Sequence, residues 1–190
     1  MTTTTPSIQD RIVALDWAAM TRDLDSFGYT IVKSVLTREE CRSLAAMYGR
    51  DDIFRSTIVM ARHGFGRGEY KYWSYPLPEI VAGLRAALYP PLAAVASRWN
   101  QSMKIDEKAL GKDTVIGSLS LGTERRFSFR HKRKSGGYPI SIKLENGSLL
   151  VMKGKTQTFW QHSVPKTAKI TTHRINLTFR TIVLEEVSRI

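Results

Sequence analysis

The chain is predicted to be an α+β protein in which N-terminal helices back a double-sheet β core. Three observations predict it. Apolar residues recur at helical spacing up to Trp99, the period changes to two from Thr114 onward, and Gly, Pro and Asn-Gly signals separate short strands in that second part. The length of 190 residues suits one domain with a core of its own. With 42% hydrophobic and 24% charged residues the chain is globular in composition, which excludes collagen, coiled-coil and low-complexity readings.

The elements follow in order. Gln9 to Leu24 reads as one helix, and Gly28 to Val32 as a strand. Thr37 opens a helix with a capping box, because Glu40 stands three residues on and Cys41, Leu44, Ala45 and Tyr48 follow at helical spacing. Ser56 to Ala61 is a strand candidate. The stretch from His63 to Pro76 is rich in glycine and aromatics and reads as a loop. Its aromatics, interleaved with Arg67 and Lys71, suit base stacking or a packed lid. Pro78 to Trp99 is helical and is expected to break at Pro90-Pro91. Five strands then follow at Val115–Leu121, Arg126–Arg130, Ile140–Leu144, Ser148–Met152 and Arg174–Val183, with turns at 135–139 and at Asn146-Gly147. No apolar run approaches the roughly 18 residues that span a bilayer, and the first residues lack a secretory pattern. A cytoplasmic protein without membrane contact is the expectation. The single Cys41, read as a small buried apolar residue, agrees with a reducing compartment.

Charge is uneven. The net +12 is concentrated after residue 100, where 17 basic side chains face 7 acidic ones. That asymmetry points to an anionic partner, nucleic acid ahead of a membrane surface, against the plainer reading of a basic soluble surface. Along Arg174-Ile175-Asn176-Leu177-Thr178-Phe179-Arg180 the faces separate: Ile175, Leu177 and Phe179 on one side, Arg174, Asn176, Thr178 and Arg180 on the other. The polar face either meets water or lines a cavity. In the second case two guanidinium forks suit the two ends of a small dicarboxylate. His162 lies between aromatics and a proline just upstream. His131 stands in the basic run 130–134, which reads as a solvated or phosphate-facing turn.

Six stretches taken together resemble the AlkB family of Fe(II)- and 2-oxoglutarate-dependent dioxygenases, over about residues 106–183. They are Asp106-Glu107, 115–122, Phe127 to Lys132, Asn146 to Met152, Trp160 to Pro165 and Arg174 to Arg180. The resemblance implies a double-stranded β-helix, or jelly-roll, core that is incomplete here. The whole then divides into a helical and mixed leader at 1–99 and a partial jelly roll at 100–190 within a single domain. It further implies oxidative removal of alkyl groups from nucleic-acid bases, with Fe(II) and 2-oxoglutarate as cofactors. By that resemblance His162 would bind the metal, and Arg174, Asn176 and Arg180 would bind 2-oxoglutarate. Asp106 and Glu107 would sit by the target base, and Arg130, His131 and Lys132 would hold substrate phosphates.

The family's His-x-Asp metal motif is missing. Met103 and Ile105 occupy its places, or Ser102 and Lys104 in the neighbouring register. Asp106 or Glu107 with His63 or His131 are the candidates to replace it. The leader is similar to that of another bacterial 2-oxoglutarate oxygenase group, so the join near 99–105 reads as the seam of a chimeric or shortened chain. Two other functions stay open: a basic nucleic-acid-binding domain without turnover, and an oxygenase acting on a small molecule or protein.

Overall fold

A computed structural model of the chain describes residues 6–63, 68–102, 115–133, 138–168, 170 and 172–180. The leader supplies α1 (Ile8–Val13), α2 (Trp17–Phe27), strand β1 (Tyr29–Val32), α3 (Arg38–Met47), strands β2 (Phe54–Val59) and β3 (Glu69–Trp73), and the long α4 (Glu79–Ser102). After it come β4 (Ile116–Gly122), β5 (Arg125–His131), β6 (Ile140–Leu144), β7 (Leu149–Met152), a short α5 (Lys155–Phe159), β8 (Trp160–Ser163) and β9 (Arg174–Arg180).

Two antiparallel sheets form the β core. The major sheet has the order β1-β7-β4-β9 and the minor sheet β6-β5-β8, so seven described strands make up the two layers. Alternation along the strands sorts their side chains. Leu119, Leu121, Leu149 and Val151 join buried residues of the helices, among them Ile12, Leu24, Leu44 and Leu84, on one face of the major sheet. Leu150 and Met152, from the other face, meet Phe127, Phe129 and Leu144 of the minor sheet. The molecule is therefore layered as helices, major sheet, minor sheet, in keeping with a jelly-roll core backed by helices. The leader is continuous with this core, since β1 pairs with β7 through Tyr29↔Met152 to Val32↔Leu149.

Local chemistry accounts for most boundaries. The capping box at Thr37 is complete: Thr37 Oγ1 accepts from Glu40 N at 3.2 Å and Glu40 Oε2 accepts from Thr37 N at 2.8 Å. Arg11 Nη2 donates to both oxygens of the same carboxylate, at 2.7 and 2.6 Å, tying α1 to α3. Gly147 has φ +77°, and a Cβ there would lie 2.7 Å from the Leu36 carbonyl oxygen, so only glycine fits this corner. The Asn146-Gly147 turn does not close a hairpin. β6 pairs with β5 while β7 pairs with β1 and β4, so the turn hands the chain from the minor to the major sheet. Cys41 is buried, as expected.

Four expectations need correction. The helix foreseen over Gln9–Leu24 is two helices, because Asp16 caps a new start by accepting from Ala19 N at 2.8 Å. The predicted break at Pro90-Pro91 is absent and α4 runs through both prolines. Val81, Leu84, Leu88, Leu92 and Val95 are buried on both sides of the pair, and burial at about 1.5–3 kcal/mol each outweighs a proline cost of about 3 kcal/mol. The same helix also corrects the statement about apolar runs, since Glu79–Arg98 is long and apolar enough to cross a membrane by length and composition. Finally, part of the His63–Pro76 loop is strand. Glu69–Trp73 pairs with β2 as a hairpin, with Trp73 against Phe54 at 4.5 Å between centroids. Lys71 is enclosed, its Nζ 2.8 Å from Asp51 and 4.7 Å from the Tyr48 ring centre, which removes it from any base-stacking surface.

Candidate active site

The polar face of β9 is built by its pairing with β4. Gly122↔Arg174, Ser120↔Asn176 and Ser118↔Thr178 stand opposite one another, and opposite residues share a face. Because Leu119 and Leu121 point to the helices, Ser118 and Ser120 point to the minor sheet, and Arg174, Asn176 and Thr178 point there with them. The side chains form one ladder. Arg174 Nη2 donates to Ser120 Oγ at 3.0 Å and to Asn176 Oδ1 at 3.2 Å. Ser118 Oγ donates to the same Asn176 oxygen at 2.7 Å, and Asn176 Nδ2 donates to Thr178 Oγ1 at 2.8 Å. Arg180 stands exposed on this face opposite Ile116.

One atom is left over. Arg174 Nε is buried without a hydrogen-bond partner, the one such side-chain atom among the described residues. Burial, and then the neighbouring charge of Arg125, hold the Arg174 pKa below its usual value. No carboxylate of a described residue pairs with Arg174, although a desolvated guanidinium N–H without an acceptor is costly. A ligand carboxylate would supply what is lacking. The residues present therefore fit 2-oxoglutarate, and Arg174 and Asn176, both read from the sequence as its ligands, are hydrogen-bonded neighbours.

The minor sheet brings His162 to the same inter-sheet space. Phe129↔His162 and His131↔Trp160 are opposite pairs of β5 and β8, and Phe129 belongs to the core between the sheets. The imidazole lies on Phe127, centroids 5.6 Å apart and planes 20° apart, and the residue remains exposed to solvent. Burial of that ring, and then the charge of Lys132, lower its pKa, so the neutral form that binds metals is favoured. His131 turns inward against Trp160 at 5.1 Å, whereas Arg130, opposite Gln161, is exposed on the outer face. Lys132 Nζ donates to the Thr158 carbonyl oxygen at 2.6 Å. Arg130 and His131, neighbours in the basic run, thus lie on opposite faces of β5.

Iron fits less well than 2-oxoglutarate. A facial triad needs two imidazoles and a carboxylate around one point. Among the described residues no group of three His, Cys, Asp or Glu side chains meets this condition. Asp106 and Glu107 lie outside the described residues, and nothing is assigned to the His63 side chain. A groove of about 510 Å³ between α2 and α4, lined by Trp17, Arg22, Asp25 and Arg98, is on the far side of the major sheet and separate from these groups.

A sequence model of the 2OG-Fe(II) oxygenase superfamily matches residues 98–180. The alpha-ketoglutarate-dependent dioxygenase alkB homolog 3 of Rattus norvegicus is 45% identical over 84 residues, covering 40% of this chain. In sequence the chain is thus similar to AlkB-type 2OG-Fe(II) oxygenases over less than half of its length. The DNA oxidative demethylase ALKBH2 of Homo sapiens is 42% identical to the chain over 85 residues, or 42% of its length. The chain spans only 28% and 33% of these two relatives. In fold it is similar, at a TM-score of 0.53 and 15% identity over 87% of its length, to a prolyl-4-hydroxylase from Pseudomonas putida, 91% of which is covered.

Ser118, Ser120 and Phe127 lie in stretches that carried the resemblance but, like Arg125, were not singled out from the sequence as site residues. The two serines alternate with Leu119 and Leu121, the same signal that exposed the polar face of β9, but the register that joins both strands is long-range. For Phe127 and Arg125 no local signal separates them from neighbouring aromatic and basic residues.

Proposed function

We propose that the chain provides the co-substrate-binding half of an AlkB-type, 2-oxoglutarate-dependent oxygenase that dealkylates nucleic-acid bases. The observation that carries this reading is the partnerless Arg174 Nε at the head of the Arg174–Asn176–Thr178 ladder, facing the sheet that holds His162. The similarity to a DNA oxidative demethylase and the charge of the C-terminal part support nucleic acid as the substrate class. That charge argues against a small neutral substrate. Arg174 would orient the co-substrate, and His162 would offer one neutral nitrogen to iron. Asp106 or Glu107 with His63 or His131 would have to supply the rest.

The incomplete donor set favours a second reading, a nucleic-acid-binding domain without turnover. Adding Fe(II) and 2-oxoglutarate under anaerobic conditions and recording visible absorbance distinguishes the two. A charge-transfer band, followed by succinate release with methylated single-stranded DNA, supports the oxygenase. No band with salt-sensitive DNA binding retained supports the binder. His162→Ala abolishes turnover on the first reading, and an unchanged succinate yield removes His162 from the site.

A further inference from the structure

Arg125 lies close to the ladder in the fold. It stands at the start of β5, three residues after Gly122, and Gly122 is paired with Arg174. The connection is tight. Thr123 N donates to the His173 carbonyl oxygen at 3.2 Å, and a Cβ on Gly122 would approach that oxygen to 2.7 Å. Arg125 is thereby held at the Arg174 end of the ladder. One contact of its guanidinium is fixed: Nη2 donates to the Pro165 carbonyl oxygen at 2.7 Å, in the segment that follows His162. A guanidinium carries five N–H groups, so most of this fork remains unengaged. Neither arginine has an acidic partner among the described residues, and the charge of Arg125 is felt at Arg174. Two like charges near enough to feel one another, one with a stranded donor, favour the entry of an anion between them.

We propose that Arg125 is a second binding residue for the co-substrate, closing with Arg174 on one carboxylate of a dicarboxylic 2-oxoacid and linking it through Pro165 to the segment carrying His162. This rests on the 2-oxoglutarate reading of the ladder. The oxoacid end of such a ligand carries adjacent oxygens suited to chelation, which leaves the remote carboxylate for the guanidinium pair. The pair therefore selects for a second negative charge: 2-oxoglutarate binds and 2-oxobutyrate, which lacks the remote carboxylate, binds poorly.

Thermal melting of the full chain with each 2-oxoacid, with calorimetric titration for affinity, tests the proposal without turnover. Arg125→Gln lowers 2-oxoglutarate affinity about tenfold and narrows the preference over 2-oxobutyrate. Its unliganded melting temperature moves little, because the lost bond to the Pro165 carbonyl oxygen and the removed repulsion oppose one another, whereas a residue needed only for structure would lower it without changing the ligand preference. Arg125→Lys keeps the charge and stem, loses the fork, and binds 2-oxoglutarate several-fold more weakly. It also serves should the Gln variant not fold. Wild-type affinity in either variant overturns the role of Arg125 while leaving the ladder intact. No response of the wild-type protein to 2-oxoglutarate overturns the ladder reading and this inference together.

Discussion

On its helical side the major sheet presents Leu119, Leu121, Leu149 and Val151 to a closed apolar core, while on its other side β4 and β9 present Ser118, Ser120, Arg174, Asn176 and Thr178 to the inter-sheet space. Residues one position apart in sequence thus serve different ends. The apolar face is satisfied by the protein alone, with Leu119 and Leu149 fully buried. The polar face is left one acceptor short, at Arg174 Nε. Stability is vested in the first face and the proposed ligand recognition in the second, and substitutions on neighbouring positions should separate the two.

The largest effect is expected on the apolar side. Leu119→Ala leaves a cavity against α3 and α4 and should cost about 2–5 kcal/mol in denaturant unfolding, whereas Ser118→Ala next to it should cost about 1 kcal/mol. Equal losses would erase the distinction between the faces. At the edge of that core, Gly147→Ala drives a Cβ to 2.7 Å from the Leu36 carbonyl oxygen in a left-handed backbone, at an expected cost of about 1–3 kcal/mol by the same measurement. A smaller loss, about 1 kcal/mol, is expected from Thr37→Ala, which removes the side-chain acceptor for Glu40 N from the capping box that starts α3.

The smallest effect belongs to the inter-sheet side and depends on pH. The His162 pKa is lowered from 6.5 by burial and then by Lys132, so the folded state holds the neutral ring more readily than the unfolded chain does. Its contribution is full above pH 6.5 and is lost as pH falls toward the lowered value. Melting temperatures recorded from neutral to mildly acidic pH should fall less steeply in His162→Gln than in the wild type. Parallel curves would place His162 in an ordinary solvated setting.

Much of this was legible where chemistry is local. Thr37 and Glu40 mark the α3 start within four residues, Asn146-Gly147 marks the corner, and alternation from Arg174 to Arg180 shows which side chains share a face. What was illegible depends on distant partners. Pro90 and Pro91 stay helical because residues on both flanks are buried, and Glu69–Trp73 is a strand because β2 pairs with it. The Arg174 ladder needs the register between β4 and β9, set some 58 residues apart between Ser118 and Asn176. His162 was visible as a residue of interest, but its stacking on Phe127 arises only when β5 and β8 pair.

The central claim is that the polar face of β4 and β9 is a 2-oxoglutarate cradle. Amide NMR spectra of the wild-type chain titrated with 2-oxoglutarate test it most directly. Shifts concentrated at Ser118, Ser120 and Arg174 to Thr178, and abolished by Arg174→Gln, are the expected result. Shifts confined to α2 and α4, or none at saturating ligand, would contradict it.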